Sequence, residues 1–167
     1  TGKWLDFNQG LDARLLTDEK AMALASAKIK DYRFAYDGAY QKKAALNAVE
    51  LLHYHGISKR KVSFYTLYNF YSDHGIQSDS PEDFYQRVLD IINWGAVSYP
   101  MRYVPLNADN KNSYVSPNWT EEQLEKVAKA RRVIGFGGAF PPYKALIDKF
   151  KNAGGFEEAF RLEPFKK

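Results

Sequence analysis

Asn8, Gln9, Asp12 and Arg14 crowd around Gly10 where the extended run Lys3–Asn8 ends. The two amides donate and accept, the carboxylate only accepts, and the guanidinium presents a planar fork of donors. An ordinary strand-to-helix turn needs one glycine and a cap. Parallel α/β folds address their ligands from the carboxyl ends of strands, and this turn carries more polar groups than its own geometry requires. Later extended stretches hold groups of the same kind: Arg33 and Asp37, Tyr65 and Asn69, and Arg102. By alternation Asp6 and Asn8 share a face, as do Arg33 and Asp37, and Tyr65 and Asn69. Central parallel strands are usually near-continuous apolar runs, and a charge among them is costly unless it is paired or meets a ligand. The pattern therefore predicts a curved sheet with a polar, concave, ligand-facing side. A structural reading stands beside it. Asp12 and Arg14 can form a local ion pair, Asp37-Gly38 is good turn chemistry, and Arg33 and Arg102 can pair with Asp6 and Asp37.

Four extended stretches alternate with helical patterns. Lys3–Asn8 precedes a helix over Asp18–Lys28 with Thr17 as N-cap, and Tyr32–Tyr36 precedes one over Tyr40–Tyr54 that stops at Gly56. Val62–Phe70 precedes Ser80-Pro81-Glu82-Asp83, a cap followed by a proline and two acids. The third helix carries Phe84, Val88, Ile91 and Ile92 at helical spacing and ends at Gly95. Val97–Pro105 is the fourth strand. The loop Asn107–Asn118 leads to Thr120-Glu121-Glu122-Gln123, a capping box that opens a helix with Leu124, Val127 and Ile134. This alternation predicts βαβ units with parallel strands and right-handed crossovers. Gly135-Phe136-Gly137-Gly138 and Pro141-Pro142 break regular structure, and Tyr143–Phe150 and Phe156–Arg161 read as short helices.

The chain has 167 residues, enough for one domain with a real core. Its 24 Lys and Arg against 20 Asp and Glu leave a charge of +4, spread along the chain rather than gathered into a face-sized patch. There is no cysteine, which excludes disulfides and any iron–sulfur cluster ligated by thiolates of this chain. His53, His55 and His74 lack metal-ligand spacing. Gly135-Phe136-Gly137-Gly138 follows a helix, whereas phosphate-cradling loops precede one. No apolar run approaches a membrane span and no signal peptide opens the sequence, so the expectation is a cytoplasmic protein with no membrane partner. Tyr65, Tyr68, Phe70 and Tyr71 suit either a core or a flat adenine face.

The order of three segments, Asp6–Leu16, Arg33-Phe34-Ala35-Tyr36-Asp37 and Phe64-Tyr65-Thr66-Leu67-Tyr68-Asn69-Phe70, resembles the third, fourth and fifth strands of the radical S-adenosylmethionine enzymes. Tyr99-Pro100-Met101-Arg102-Tyr103-Val104-Pro105 is similar to the sixth. The resemblance is most specific over Gln9-Gly10-Leu11-Asp12-Ala13-Arg14. It implies a partial (βα) barrel of about four parallel strands over residues 1–107, helices on the convex side, and a helical extension over 108–167. It further implies S-adenosylmethionine at Asp37, Leu67, Tyr68, Asn69, Arg102 and Tyr103, with Asn8, Gln9, Asp12 and Arg14 facing cofactor or substrate. In a complete enzyme a 4Fe-4S cluster held by a three-cysteine loop reduces S-adenosylmethionine to a radical. That loop and the first two strands have no counterpart in this sequence, and the glycine pattern of the fifth strand is missing. The expectation is thus a portion of such an enzyme, inactive alone and with weak cofactor affinity. The alternatives are a non-catalytic half-barrel that binds or assembles, with a homo-oligomer covering its open edge, or a basic α/β protein that binds nucleic acid.

Overall fold

A computed structural model describes residues 4–71, 79–108, 110, 113–134 and 144–162. Helix α1 (Asp18–Ser26) precedes β1 (Tyr32–Ala35), α2 (Lys42–Tyr54) precedes β2 (Val62–Tyr68), and α3 (Pro81–Trp94) precedes β3 (Val97–Arg102). Helices α4 (Glu121–Ile134), α5 (Lys144–Asn152) and α6 (Phe156–Ala159) follow. The expected breaks at Gly135–Gly138 and Pro141-Pro142, and His74, lie outside the described residues.

The helix starts are set by local chemistry. Thr17 Oγ1 accepts from Lys20 N at 3.4 Å, and Ser80 and Asp83 exchange bonds in a capping box with Pro81 at the first helical position. Thr120 and Gln123 repeat that exchange before α4. At the end of α3, Gly95 takes φ 81°, a left-handed conformation open to glycine at little cost.

The strands form one parallel sheet in the order β1-β2-β3, with Phe34 beside Phe64 and Tyr65 beside Tyr99. The expected strand Lys3–Asn8 is not one. Its described residues make a single parallel bridge, Leu5 to Ile29, and a second bridge joins Leu11 to Phe34. Between these bridges Gly10 N bonds to Phe7 O and closes a turn, which interrupts any continuous ladder. The segment still runs alongside β1 in the parallel sense and delivers Gly10 to Arg14 near the strand's carboxyl end.

One alternation of the strands, Tyr32, Phe34, Val62, Phe64, Thr66 and Tyr68, is buried, and the other, Arg33, Ala35, Ser63, Tyr65 and Leu67, is only half-buried. Helices account for the difference. Ala45, Ala48, Val49 and Leu52 of α2 join Phe34 and Phe64 in one core, and Phe84 and Val88 of α3 join Tyr68 in a second. Both crossover helices therefore cover the same side of the sheet. The second core also takes Trp119, Leu124 and Val127, then Phe150, Phe156 and Phe160 of the tail. The described tail thus packs on α3 and does not cover the edge at residues 4–11, because its three phenylalanines find a deeper apolar surface beside Phe84.

Phe84 links the halves of this second core, with ring centroids 5.2 Å from Tyr68, 6.0 Å from Trp119 and 5.6 Å from Phe160. Phe84→Ala should lower the unfolding free energy by about 3–5 kcal/mol in urea denaturation. A loss below about 1 kcal/mol would mean that the tail does not pack there.

Candidate functional site

The carboxyl ends of the strands hold two polar centres joined through Gln41 and Asp37. The first is built on the turn after Gln9. Gly10 has φ 83°, and a Cβ at that position would sit 3.5 Å from the Tyr65 ring and 3.6 Å from Arg33 O. The turn is held to the sheet by Leu11 N on Arg33 O at 2.7 Å and by Tyr65 Oη on Asn8 O at 2.8 Å. Asp12 then caps a 3-10 turn, Ala13–Leu15, by accepting from Arg14 N at 3.0 Å. The same carboxylate takes Arg14 Nε at 2.9 Å and Nη2 at 2.7 Å. That side-chain hydrogen bond, first among the causes, lowers the Asp12 pKa and raises that of Arg14, so the pair stays ionised through neutral pH.

Two hollows lie on either side of Leu11 and Asp12. One, of about 400 Å³, is apolar, walled by Phe7, Leu15, Leu16, Ala23, Leu24 and Phe34 with Lys20 at its margin. The other, of about 270 Å³, is polar, lined by Gln9, Asp12, Arg14 and Gln41 among the small residues Gly10, Ala13, Ala35 and Ala44. Gln41 Oε1 accepts from Asp37 N at 2.6 Å and Gly38 N at 3.3 Å, which ties the end of β1 to the start of α2.

The second centre lies around the end of β2. Asp37 Oδ1 accepts from Leu67 N at 2.9 Å, and Arg87 Nη2 donates to Leu67 O at 2.8 Å. Both backbone polar groups of one residue are thus taken, its N–H by a carboxylate after β1 and its carbonyl by a guanidinium on α3. Arg87 also pairs with Asp79 at 2.6 Å, with the two side chains 6% and 3% exposed. Asp79 Oδ2 accepts from Asn69 N at 3.0 Å, while its carbonyl accepts from Trp119 Nε1 at 3.1 Å. Asn69 adopts φ 68° and spends its side-chain amide on Tyr103 O, Tyr114 O and Ser116 N. Arg102 Nη2 donates to Tyr114 O at 2.8 Å, and Tyr103 stacks edge-on between Phe70 and Tyr114.

The sequence-predicted residues therefore divide. Gln9, Asp12 and Arg14 gather at the polar cleft, and Asn8 is exposed beside them with its carbonyl on Tyr65. Asp37 and Leu67 touch. Tyr68 is buried in the helix-side core, with Arg102 in register beside it. Arg102 is thus on the alternation opposite to Arg33 and Tyr65, and the expected single polar face does not include it. The expected structural pairing holds for Arg33 with Asp6, at 2.5 Å, whereas the partner of Asp37 is the Leu67 amide. Sequence reasoning missed Asp79 and Gln41, and it marked Arg87 only as part of the helix after β2, with no place in the site. It also missed Asp90, a buried carboxylate on α3 that accepts from Tyr36 Oη at 2.8 Å and Lys42 Nζ at 2.9 Å. Of these, only Gln41 carries a local signal, four residues after Asp37.

Burial raises the Asp79 carboxyl from its ordinary 3.8 to about 6, against the lowering by Arg87 and the Asn69 amide, and burial raises Asp37 too. Both folded pKa values lie above their unfolded ones, so the folded chain takes up protons first as pH falls. Stability should rise from pH 7 to pH 5, by about 1 kcal/mol from Asp79, and be lost again as pH climbs through about 6; the full effect of about 3 kcal/mol is present only below the unfolded pKa. Urea midpoints across that range should flatten in Asp79→Asn. A wild-type midpoint that falls on going from pH 7 to 5 would contradict the sign.

Compared with known proteins, the chain matches no family model, no curated sequence and no solved structure, so the geometry itself carries the functional reading.

Proposed function

We propose that this chain is the later, ligand-facing portion of a radical S-adenosylmethionine barrel, with its strand ends as the binding surface. The observation that carries the reading is the arrangement of the sheet: sequential parallel strands with both crossover helices on one side and polar groups at the carboxyl ends. The segment around Leu5 and Leu11 extends that order by running parallel beside β1, where the preceding strand of a barrel belongs. In this reading Asp37 takes a polar group of the cofactor's ribose or methionyl part, and Leu67, Tyr68 and Asn69 offer the strand end to the adenine. Tyr103 closes the wall, with Arg102, on the helix side of the sheet, and Asn69 acting through the bonds both make to Tyr114 O. Asn8, Gln9, Asp12 and Arg14 face cofactor or substrate.

The chemistry of such enzymes comes from a cluster that cleaves the bound cofactor. The chain has no cysteine, and among the described residues no group of three or more His, Cys, Asp or Glu is placed to hold a metal ion. The cluster does not fit this chain, whose own residues bind and orient. A non-catalytic assembly module is the second reading, favoured by Trp4 and Leu5, 64% and 50% exposed beside the first edge of the sheet. On that reading sedimentation should give a dimer or larger, and a monomer at high concentration removes it.

The main reading is tested by titrating S-adenosylmethionine and following backbone amide shifts. Weak, saturable changes should cluster at Asp37, Leu67, Asn69 and Tyr103, because only part of the enclosing surface is present. Asp37→Asn should weaken them about tenfold, the size of one lost charged hydrogen bond. Shifts absent from these amides at saturating ligand would overturn the reading.

A further inference from the structure

We infer that the polar cleft beside Gly10 is an oxyanion subsite, built to receive a carboxylate or phosphate group of a small ligand on Arg14. The inference rests on reading the strand ends as a ligand face, and it does not depend on which cofactor binds there. Arg14 is held in place by its own neighbour. Asp12 accepts from the Arg14 backbone N–H and from the Nε and Nη2 edge of its guanidinium, so one carboxylate fixes the main chain and the side chain together. That chelate uses one edge of the fork. Among the described residues nothing engages Nη1, and the side chain is 60% exposed. A planar guanidinium with one edge anchored and the other open is pre-oriented for bidentate contact with a carboxylate or phosphate.

The remaining groups agree with an acceptor-rich ligand. Gln41 has its Oε1 committed to Asp37 N and Gly38 N, which leaves its Nε2 as a donor. Gln9, exposed on the turn, supplies a second amide. Three alanines and a glycine keep the walls short, and the volume of about 270 Å³ suits a small group rather than a large substrate. Asp12 is the one anion in the lining, and its charge is compensated by Arg14. The affinity expected is therefore millimolar, with the ligand's own contacts elsewhere adding to it.

The test titrates the chain separately with inorganic phosphate and with acetate at constant ionic strength, following backbone amides. Saturable shifts at Gly10, Ala13, Arg14 and Gln41 are expected with at least one anion, and the stronger of the two identifies the group. Arg14→Gln should weaken that binding about tenfold or more, and Arg14→Lys, which keeps the charge but loses the fork, several-fold. Lys61→Gln, removing one positive charge from an exposed turn elsewhere, should leave it unchanged. Linear, non-saturating shifts with both anions, or equal midpoints in the wild type and Arg14→Gln, would overturn the inference. Circular dichroism confirms that each variant is folded; should Arg14→Gln unfold, Arg14→Lys decides by the same criterion. Shifts caused by S-adenosylmethionine are read at Asp37 and Leu67, so failure of the cofactor reading and failure of this subsite are distinguishable.

Discussion

The buried ion pair between Asp79 and Arg87 is the interaction on which the rest of the structure depends. Taking two charges out of water costs several kcal/mol per ion, and the cost is offset only when geometry is good and the remaining donors and acceptors are used. Here they are used across elements. Asp79 takes the Asn69 amide, its carbonyl takes the Trp119 indole, and Arg87 reaches Leu67 O. The pair thereby sets where β2 stops, how α3 begins and where the loop before α4 lies. Removing Asp79 leaves the Arg87 guanidinium buried without its carboxylate, and removing Arg87 takes away the charge that holds the Asp79 pKa down together with the donor to Leu67 O.

From that clamp the asymmetry of the sheet follows into function. Asp37 takes the Leu67 N–H and Arg87 the Leu67 carbonyl, and this fixes the level of β2 relative to β1. With both crossover helices on one side, the other alternation stays half-covered, and Gly10 brings the N-terminal turn against Tyr65 at that side. The Asp12–Arg14 chelate is then presented at a strand end rather than on a random surface loop. A rigid sheet carrying polar groups on its loops is how parallel α/β proteins separate stability from ligand choice.

Local chemistry was legible in the sequence, and register was not. The caps at Thr17, Ser80 and Thr120 and the stop at Gly95 were readable because each depends on residues within one turn of the helix. The Asp12–Arg14 pair was readable for the same reason. The strand at Lys3–Asn8 failed because the Gly10 turn bends the chain before a ladder can form. Asn69 was expected on the face of Tyr65, but its left-handed backbone ends the alternation and turns its side chain into the loop network. Arg102 was expected with the other polar groups, and pairing with Tyr68 places it on the helix side. The pairing of Asp79 with Arg87 gave no signal, since nothing in their spacing distinguishes a buried pair from two surface charges.

Amide hydrogen exchange in Arg87→Met tests the clamp most directly. The amides of Leu67 and Asn69 should lose protection well beyond the fall in global stability, while Phe34 and Phe64 follow the global change. If Leu67 and Asn69 keep the protection of the neighbouring core strands, the buried pair does not organise the strand ends.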